Sequence, residues 1–410
     1  MIARQPAGEA PRTFAVVGGA GAMGRITVRD LVETCAEGDE IVIADHDLDK
    51  AAALAASLQG GGRPRVRAVR VDVTDHAAAA AALRGAFAIV NTVQFQLNLH
   101  VMEVALATRA HYLDIGGLFH MTRRQLELDA RFRAAERTAL LGMGAAPGIT
   151  NLLARHGAER LDEVREIHLR VGSVDRTRYR STPALPVAYS LKTILDEFSV
   201  PPAVFTKGEF AFVEPMSGAR PHRFPPPVGL QRPMYTLHSE VATLPLSFRD
   251  RGVREVSFQI AFDPAFVDRV RFLRDLGLAS HVELDVAGVK VRPIDLVNKV
   301  AMSQAPGRQV GRLQQYEVLR AVVKGVSAGK KVTWIVECHT RGMPAWGIGL
   351  DIDTGSPPAI AAQMLAAGEI TATGTVAPEV AVPCAAFFRR LRARRMRLVV
   401  TRRAGWQLAV

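Results

Sequence analysis

The chain has 410 residues, 48% hydrophobic and 22% charged, the balance of a soluble globular protein long enough for two domains. Its net charge of +12 is concentrated in residues 386–410, which hold eight arginines and no acid and leave +4 for the rest. No recognised RNA- or DNA-binding module accompanies that tail, no apolar run approaches the ~20 residues of a membrane span, and residues 1–12 lack the apolar centre of a signal peptide.

Cys35, Cys338 and Cys384 are odd in number and far apart, so neither a disulfide framework nor a metal site is expected. A cytoplasmic protein with no nucleic-acid partner and no membrane partner is the reading. The tail segment 387–397 reads as an amphipathic helix with Phe388, Leu391 and Arg395 on one face.

From the amino end, the apolar run 14–17 feeds directly into Gly19-x-Gly21-x-x-Gly24, and Ile26, Val28, Leu31 and Val32 then follow helical spacing. A second apolar run, 41–45, ends in Asp45, 21 residues after the last glycine. Strand, glycine turn, helix, strand and acid in this order form the dinucleotide-binding fingerprint. The first glycine permits the tight turn, the second lets backbone approach a pyrophosphate, and the third allows close packing. The helix start offers free N–H groups to the phosphates. Gly19, Gly21, Ala22, Met23 and Gly24 are therefore cofactor candidates. Asp45 faces the ribose hydroxyls and favours NAD, with NADP not excluded.

Further on, the pattern predicts a helix over 50–58, a strand over 66–73, a helix over 76–83, a strand over 86–91 and a helix over 98–108. A strand over 111–114, a helix over 122–135 and a strand over 138–142 complete the first 150 residues. Strands alternating with helices imply parallel units in a Rossmann-type doubly wound sheet. Asp72, Val73, Asn91 and Thr92 fall at strand ends of this sheet and join the cofactor candidates.

Beyond Pro147-Gly148 the texture changes to strand-like alternation, as in 253–262 and 331–338, around a Pro-rich span from Pro215 to Pro233. Residues 151–354 read as a mixed α/β substrate and dimerisation domain with a mainly antiparallel sheet. Residues 355–410, helical again over 358–367, are expected to return to the first domain and finish it.

Several segments carry a family resemblance: Val17-Gly-Gly-Ala-Gly-Ala-Met-Gly24, Val90-Asn-Thr-Val-Gln94, Tyr112-Leu-Asp-Ile-Gly-Gly117 and Gly144-Ala-Ala-Pro-Gly-Ile-Thr-Asn151, with Ala188-Tyr-Ser-Leu191 and His238-Ser-Glu240 further on. On these the chain resembles the saccharopine dehydrogenase-like superfamily, most closely its bacterial lysine 6-dehydrogenase branch. Ala146 before Pro-Gly matches that branch. Where its members often read His-Ser/Thr-x-Gly-Gly-Thr, this chain has His238-Ser-Glu-Val-Ala-Thr243, and Glu240 is similar to the His-Glu-Glu pattern of carboxynorspermidine dehydrogenase-like members.

The resemblance implies hydride transfer between a nicotinamide and a carbon bearing nitrogen, in a homodimer. The leading expectation is NAD-dependent oxidation of the terminal amine of L-lysine or a related amine to an imine that can cyclise. The alternatives are a saccharopine- or carboxynorspermidine-type reductase that joins an amine to a carbonyl, and a non-catalytic nucleotide-binding protein.

Such chemistry needs a proton acceptor and a clamp on the substrate's charges. Asp114 either pairs with the substrate ammonium or caps the turn that follows it. His238 and Glu240, two apart and able to share one side of an extended chain, are the other catalytic candidates. Gly117, Thr243, Tyr189 and Ser190 are substrate-binding candidates, Ser190 also reading as the N-cap of a helix over 191–198. A substrate carboxylate needs a guanidinium. Arg176, Arg178 and Arg180 share one side if extended; Arg178 is carried forward, with Arg232 a further candidate.

Overall fold

The structure is a computed structural model describing residues 10–61, 63–186, 190–304 and 307–405. The apolar runs of the first third become strands buried on both faces, as parallel strands under helices are. β1 (Thr13–Val17), β2 (Glu40–Asp45), β3 (Arg65–Arg70), β4 (Ala88–Asn91), β5 (His111–Asp114) and β6 (Thr138–Leu140) lie parallel. Six helices connect them: α1 (Gly24–Thr34), α2 (Leu48–Leu58), α3 (His76–Ala82), α4 (Asn98–Thr108), α5 (Leu118–Leu126) and α6 (Asp129–Ala134). The order β6-β5-β4-β1-β2-β3 reverses direction between β4 and β1, which opens a crevice at their carboxyl ends.

Helix α7 (Ile149–Ala158) leads out of this sheet to β7 (Glu163–Asp175), β8 (Arg178–Ser181) and α8 (Leu191–Ser199). The hairpin β9 (Ala203–Thr206)–β10 (Glu209–Phe212) follows. The Pro-rich span holds the short β11 (His222–Arg223), β12 (Leu230–Gln231) and β13 (Met234–Tyr235). Then come α9 (Glu240–Ser247), β14 (Glu255–Ile260), α10 (Pro264–Asp275), the hairpin β15 (Leu284–Val286)–β16 (Val289–Val291), α11 (Pro293–Met302) and β17 (Arg308–Val310). The long strands β18 (Gln315–Ser327) and β19 (Lys330–Thr340) precede α12 (Ile352–Ala366), β20 (Gly374–Val376), α13 (Pro378–Ala381), α14 (Cys384–Ala393) and β21 (Arg397–Ala404).

The second sheet runs β10-β9-β14-β7-β18-β19-β21, with β13 also on β14. It is mainly antiparallel, as expected, except that β14 runs parallel to β7. One apolar core passes from Phe14 and Val16 through Ile26, Leu152 and Ile360 to Leu169 and Val336, so the two sheets share an interior.

Several boundaries differ from the sequence reading. The helix expected over 122–135 is two helices, broken where β20 docks: Thr375 donates its hydroxyl to the Leu126 carbonyl (3.2 Å) and its N–H to Asp129 (2.9 Å). β3 stops at Arg70, so Asp72 and Val73 lie beyond it. α12 starts at Ile352 and contains Pro357 and Pro358, which puts the expected boundary at 354/355 inside a helix. β20 does return to the first sheet beside β6. The tail then departs from expectation: α14 ends at Ala393, and β21 joins the second sheet on β19. Phe387 and Leu391 are the large buried apolar residues of α14, beside Cys384 and Ala386, and Arg395 lies outside it.

Candidate active site

At the nucleotide end, the left-handed backbone conformation falls on Gly18 (φ 73°), one residue before the first fingerprint glycine. A Cβ on Gly19 would stand 2.8 Å from the Val16 carbonyl, and one on Gly24 would collide with the Gly18 carbonyl. Only glycines close this loop. Asp45 ties β2 to it, accepting from the Ala20 N–H (3.0 Å) and the Asp47 N–H (3.1 Å), with His46 Nδ1 3.0 Å away. Where Asp47, Asp75 and Asp263 cap α2, α3 and α10, α1 begins at Gly24 with no side-chain cap from Met23 before it and no acid in its first turn. An uncapped helix start behind a glycine-rich cradle fits an anionic diphosphate, so Gly19, Gly21, Ala22, Met23 and Gly24 suit a dinucleotide.

The other strand-end residues turn inward or serve local turns. Thr92 donates its hydroxyl to the Val17 (2.8 Å) and Gly18 (3.2 Å) carbonyls and so braces the glycine loop from behind. Asp72 is exposed and accepts from the N–H (2.9 Å) and hydroxyl (2.7 Å) of Thr74; Val73 is buried. Asn91 donates to Asn98 (2.8 Å) and Tyr112 (3.1 Å) in a buried network.

Asp114 is the centre of that network and only 1% exposed. One oxygen accepts from the Gly142 (2.6 Å) and Gly116 (3.0 Å) N–H groups, the other from Gln125 (2.6 Å) and the Tyr112 hydroxyl (2.9 Å). Burial raises its pKa, while Gln125 and the Gly142 N–H pull the other way. Its two oxygens are thus held by protein donors, the Gly116 N–H among them supplying the turn-capping contact. Asn91 and Thr92 likewise donate to protein acceptors at these strand ends.

The second group gathers where the two sheets meet. Gly116 packs against Pro147, and the Gly117 N–H donates to Ser239 Oγ (3.2 Å). Thr150, in the first turn of α7, donates to Glu240 Oε1 (2.7 Å). The other Glu240 oxygen lies 2.8 Å from His238 Nδ1. His238 stacks on Phe258 with ring centroids 3.7 Å apart, and its Nε2 lies 3.8 Å from Glu197 of α8. The pair does not sit in an extended loop as expected. Glu240 opens α9, where an acid suits the helix start, and the turn brings it under the imidazole.

Burial by itself would lower the His238 pKa. The charge of Glu240, its hydrogen bond and the charge of Glu197 outweigh burial and raise it. Thr243 is buried one turn along and accepts from Asn151 (3.3 Å), which also donates to Glu379 (2.8 Å).

Ser190 caps α8 as expected, accepting from the Thr193 N–H (3.4 Å); Tyr189 lies outside the described residues. The sequence reading missed α8's contribution. Glu197 is buried beside His238, and its neighbour Asp196 reaches Gln96 (3.3 Å) beyond β4 and His281 (2.6 Å). Two adjacent acids on a helix otherwise buried through Leu191, Ile194, Leu195 and Phe198 were the available signal. Arg178 is exposed on the β8–β17 ribbon. Arg176 and Arg232 donate to the Pro227 and Ala219 carbonyls. Among the described residues, no hydrogen bond or ion pair joins these three arginines to the His238 group.

A third set of carboxyls lies at the start of α12. Thr354 comes within 3.6 Å of a Cβ built on Gly144, and Thr27 of α1 donates to the Gly355 carbonyl (2.7 Å). Glu317 of β18 faces Asp353 there, and desolvation pushes the Glu317 pKa up to about 7. Asp351 and Asp353 are also raised, burial being the main cause. No helix of the described residues is long and apolar enough to cross a membrane.

Comparison with known proteins agrees with this fold. Residues 14–140 match the family described as saccharopine dehydrogenase NADP binding domain, and residues 144–396 the family described as saccharopine dehydrogenase C-terminal domain. A carboxyaminopropylagmatine dehydrogenase from Synechocystis is 22% identical over 331 residues, covering 78% of this chain and 79% of that protein. The apo saccharopine dehydrogenase (L-Glu forming) of Saccharomyces cerevisiae shares the fold with a TM-score of 0.69 at 16% identity, over 96% of this chain and 100% of that one. With both halves matched in order, the chain belongs to the saccharopine dehydrogenase family of oxidoreductases.

Proposed function

We propose that this protein is an NAD-dependent oxidoreductase acting on the C–N bond of a cationic amine, oxidising the terminal amine of L-lysine or a related amine to an imine that can cyclise. The observation that carries this reading is the buried His238–Glu240 pair with Glu197 beside it, at the seam of a nucleotide-binding sheet and a second domain. Buried carboxylates attract an ammonium strongly because little water screens them. An amine must lose a proton before its carbon can give up hydride. With Nδ1–H donated to Glu240, the neutral His238 ring keeps Nε2 as an acceptor on the Glu197 side. The bound nicotinamide supplies the hydride acceptor. Gly19, Gly21, Gly24 and Asp45 hold that cofactor, and Asp45 at the ribose end supports NAD over NADP.

A second reading is reductive joining of an amine to a carbonyl with NAD(P)H to give a carboxylated polyamine, the relative's name being that of a dehydrogenase of carboxyaminopropylagmatine. It is favoured by the acids Asp196, Glu197 and Glu240, which suit a chain with more than one ammonium. The protein is proposed to work in the cytoplasm, where three buried free thiols stay reduced.

The test follows the NADH absorbance band with NAD or NADP and a panel of L-lysine, ornithine, saccharopine and carboxylated polyamines. L-Lysine with NAD is expected to generate NADH, and His238→Asn to lower kcat by about 10²–10⁴. Glu240→Gln is expected to move the acidic limb of kcat/KM to lower pH, because the charge that raises the His238 pKa is gone. Turnover with a carboxylated polyamine alone would select the second reading. Full activity in His238→Asn would remove the site.

A further inference from the structure

On the face of the second sheet turned away from α7 and α9, a cavity of about 350 Å³ opens among β18, β19, the start of β21 and the Pro-rich span. Arg341, Arg395, Arg397 and His339 line it over a floor of Tyr316 and Val318. The charge is one-sided. Glu317 also borders the cavity, but its carboxyl faces Asp353 on the other side of the strand. Glu337, the acid nearest His339 (3.3 Å), is already paired with Arg320. Among the described residues none of the three guanidiniums makes an ion pair or a side-chain hydrogen bond. Arg341 lies over the Tyr316 ring, 5.3 Å from its centroid.

Buried neighbours hold the arginines in place. Arg394 is anchored to Asp30 of α1 (Nε–Oδ2 2.6 Å), and Met396 is buried at 1% exposure. Between them Arg395 takes a left-handed backbone conformation (φ 63°), and Arg397 opens β21 opposite His339. Alternation of anchored and free residues therefore fixes where Arg395 and Arg397 emerge. The three guanidiniums are exposed around one opening and unpaired by any carboxylate among the described residues, and a bound anion relieves their mutual repulsion.

We propose that this cavity binds a small multivalent oxyanion, a phosphate ester or a polycarboxylate, at a site separate from the His238 group. The planar guanidinium fork matches both anion types through paired hydrogen bonds, and the volume suits a small ligand. Arg394 links the site to α1, the helix whose start forms the phosphate end of the cofactor cradle.

The test is calorimetric titration of the full chain, saturated with NADH so that the glycine loop is filled, with pyrophosphate and separately with citrate at constant ionic strength. Saturable binding of either is expected, with the preferred probe identifying the anion type. Arg341→Gln/Arg397→Gln should weaken it at least about tenfold, given the strength of charged hydrogen bonds. Arg341→Gln alone, outside the β-ladder, guards against loss of fold in the double variant and should weaken binding too. Wild-type affinity in both variants, or no response beyond that of matched sodium chloride, would overturn the proposal.

Discussion

At the scale of single residues, polar groups at strand ends were the hardest to read. Asp114 and Asn91 occupy positions where either a ligand or a buried network can claim a side chain, and sequence carries no sign of which. The network claimed them because Tyr112, Asn98 and Gln125 converge from three elements. His238 and Glu240 were legible as a pair, whereas Glu197 was hidden in a helix whose apolar neighbours dominate its pattern. Glu317 offers a test of how carboxyl burial acts on stability. Its pKa stands at about 7 against an ordinary 4.5, so the folded chain holds that proton more tightly than the unfolded one. Stability therefore falls as pH rises from about 4.5 through 7. Glu317→Gln should stabilise the protein at pH 8 and hardly at all at pH 5, read from urea melts. An equal effect at both pH values would show that the carboxyl is not desolvated in solution.

At the scale of elements, the first sheet was legible because buried parallel strands are unbroken apolar runs and their helices keep a clear period. α9 was not, since Pro245 interrupts its pattern, and the role of the tail was only half visible. Its eight arginines suggested a solvated face, yet Arg394 is 3% exposed and bonded to a fully buried Asp30. That pair locks α14 to α1. Arg394→Ala leaves a buried carboxylate unpaired and is expected to cost about 3–5 kcal/mol, seen as a lower denaturation midpoint. A double change of Asp30→Asn and Arg394→Met should recover part of the loss. A single change with no effect would mean that the pair is solvated.

At the scale of the whole molecule, an aliphatic surface stands out. On the β15–β16 hairpin, Val286 faces Val289 in register, and both are exposed, Val289 at 61%. Phe272 of α10, Leu276 just past its end, and Leu296 and Val300 of α11 are exposed as well. A free-standing two-stranded hairpin is marginal in water, and exposed apolar groups on these elements are the kind that a partner surface covers. A second copy of the chain is the proposed cover. Because α8 packs on α10 and α11, that contact would steady the helix carrying Glu197. Light scattering is expected to give a dimer mass for the wild type and a monomer for Val286→Lys/Val289→Lys; a monomeric wild type would sink the assignment.

The prolines of α12 bear on motion. Pro357 and Pro358 have no amide hydrogen to offer, so the carbonyls of Asp353 and Thr354 go without partners in the helix ladder. The first turn of α12 is held instead from outside, by Thr27 on the Gly355 carbonyl. Bending the chain at this crossing between the two sheets therefore breaks fewer backbone bonds than it would farther along the helix, so the packing of α12 on α1, more than its own ladder, fixes the direction in which the chain returns to the first sheet.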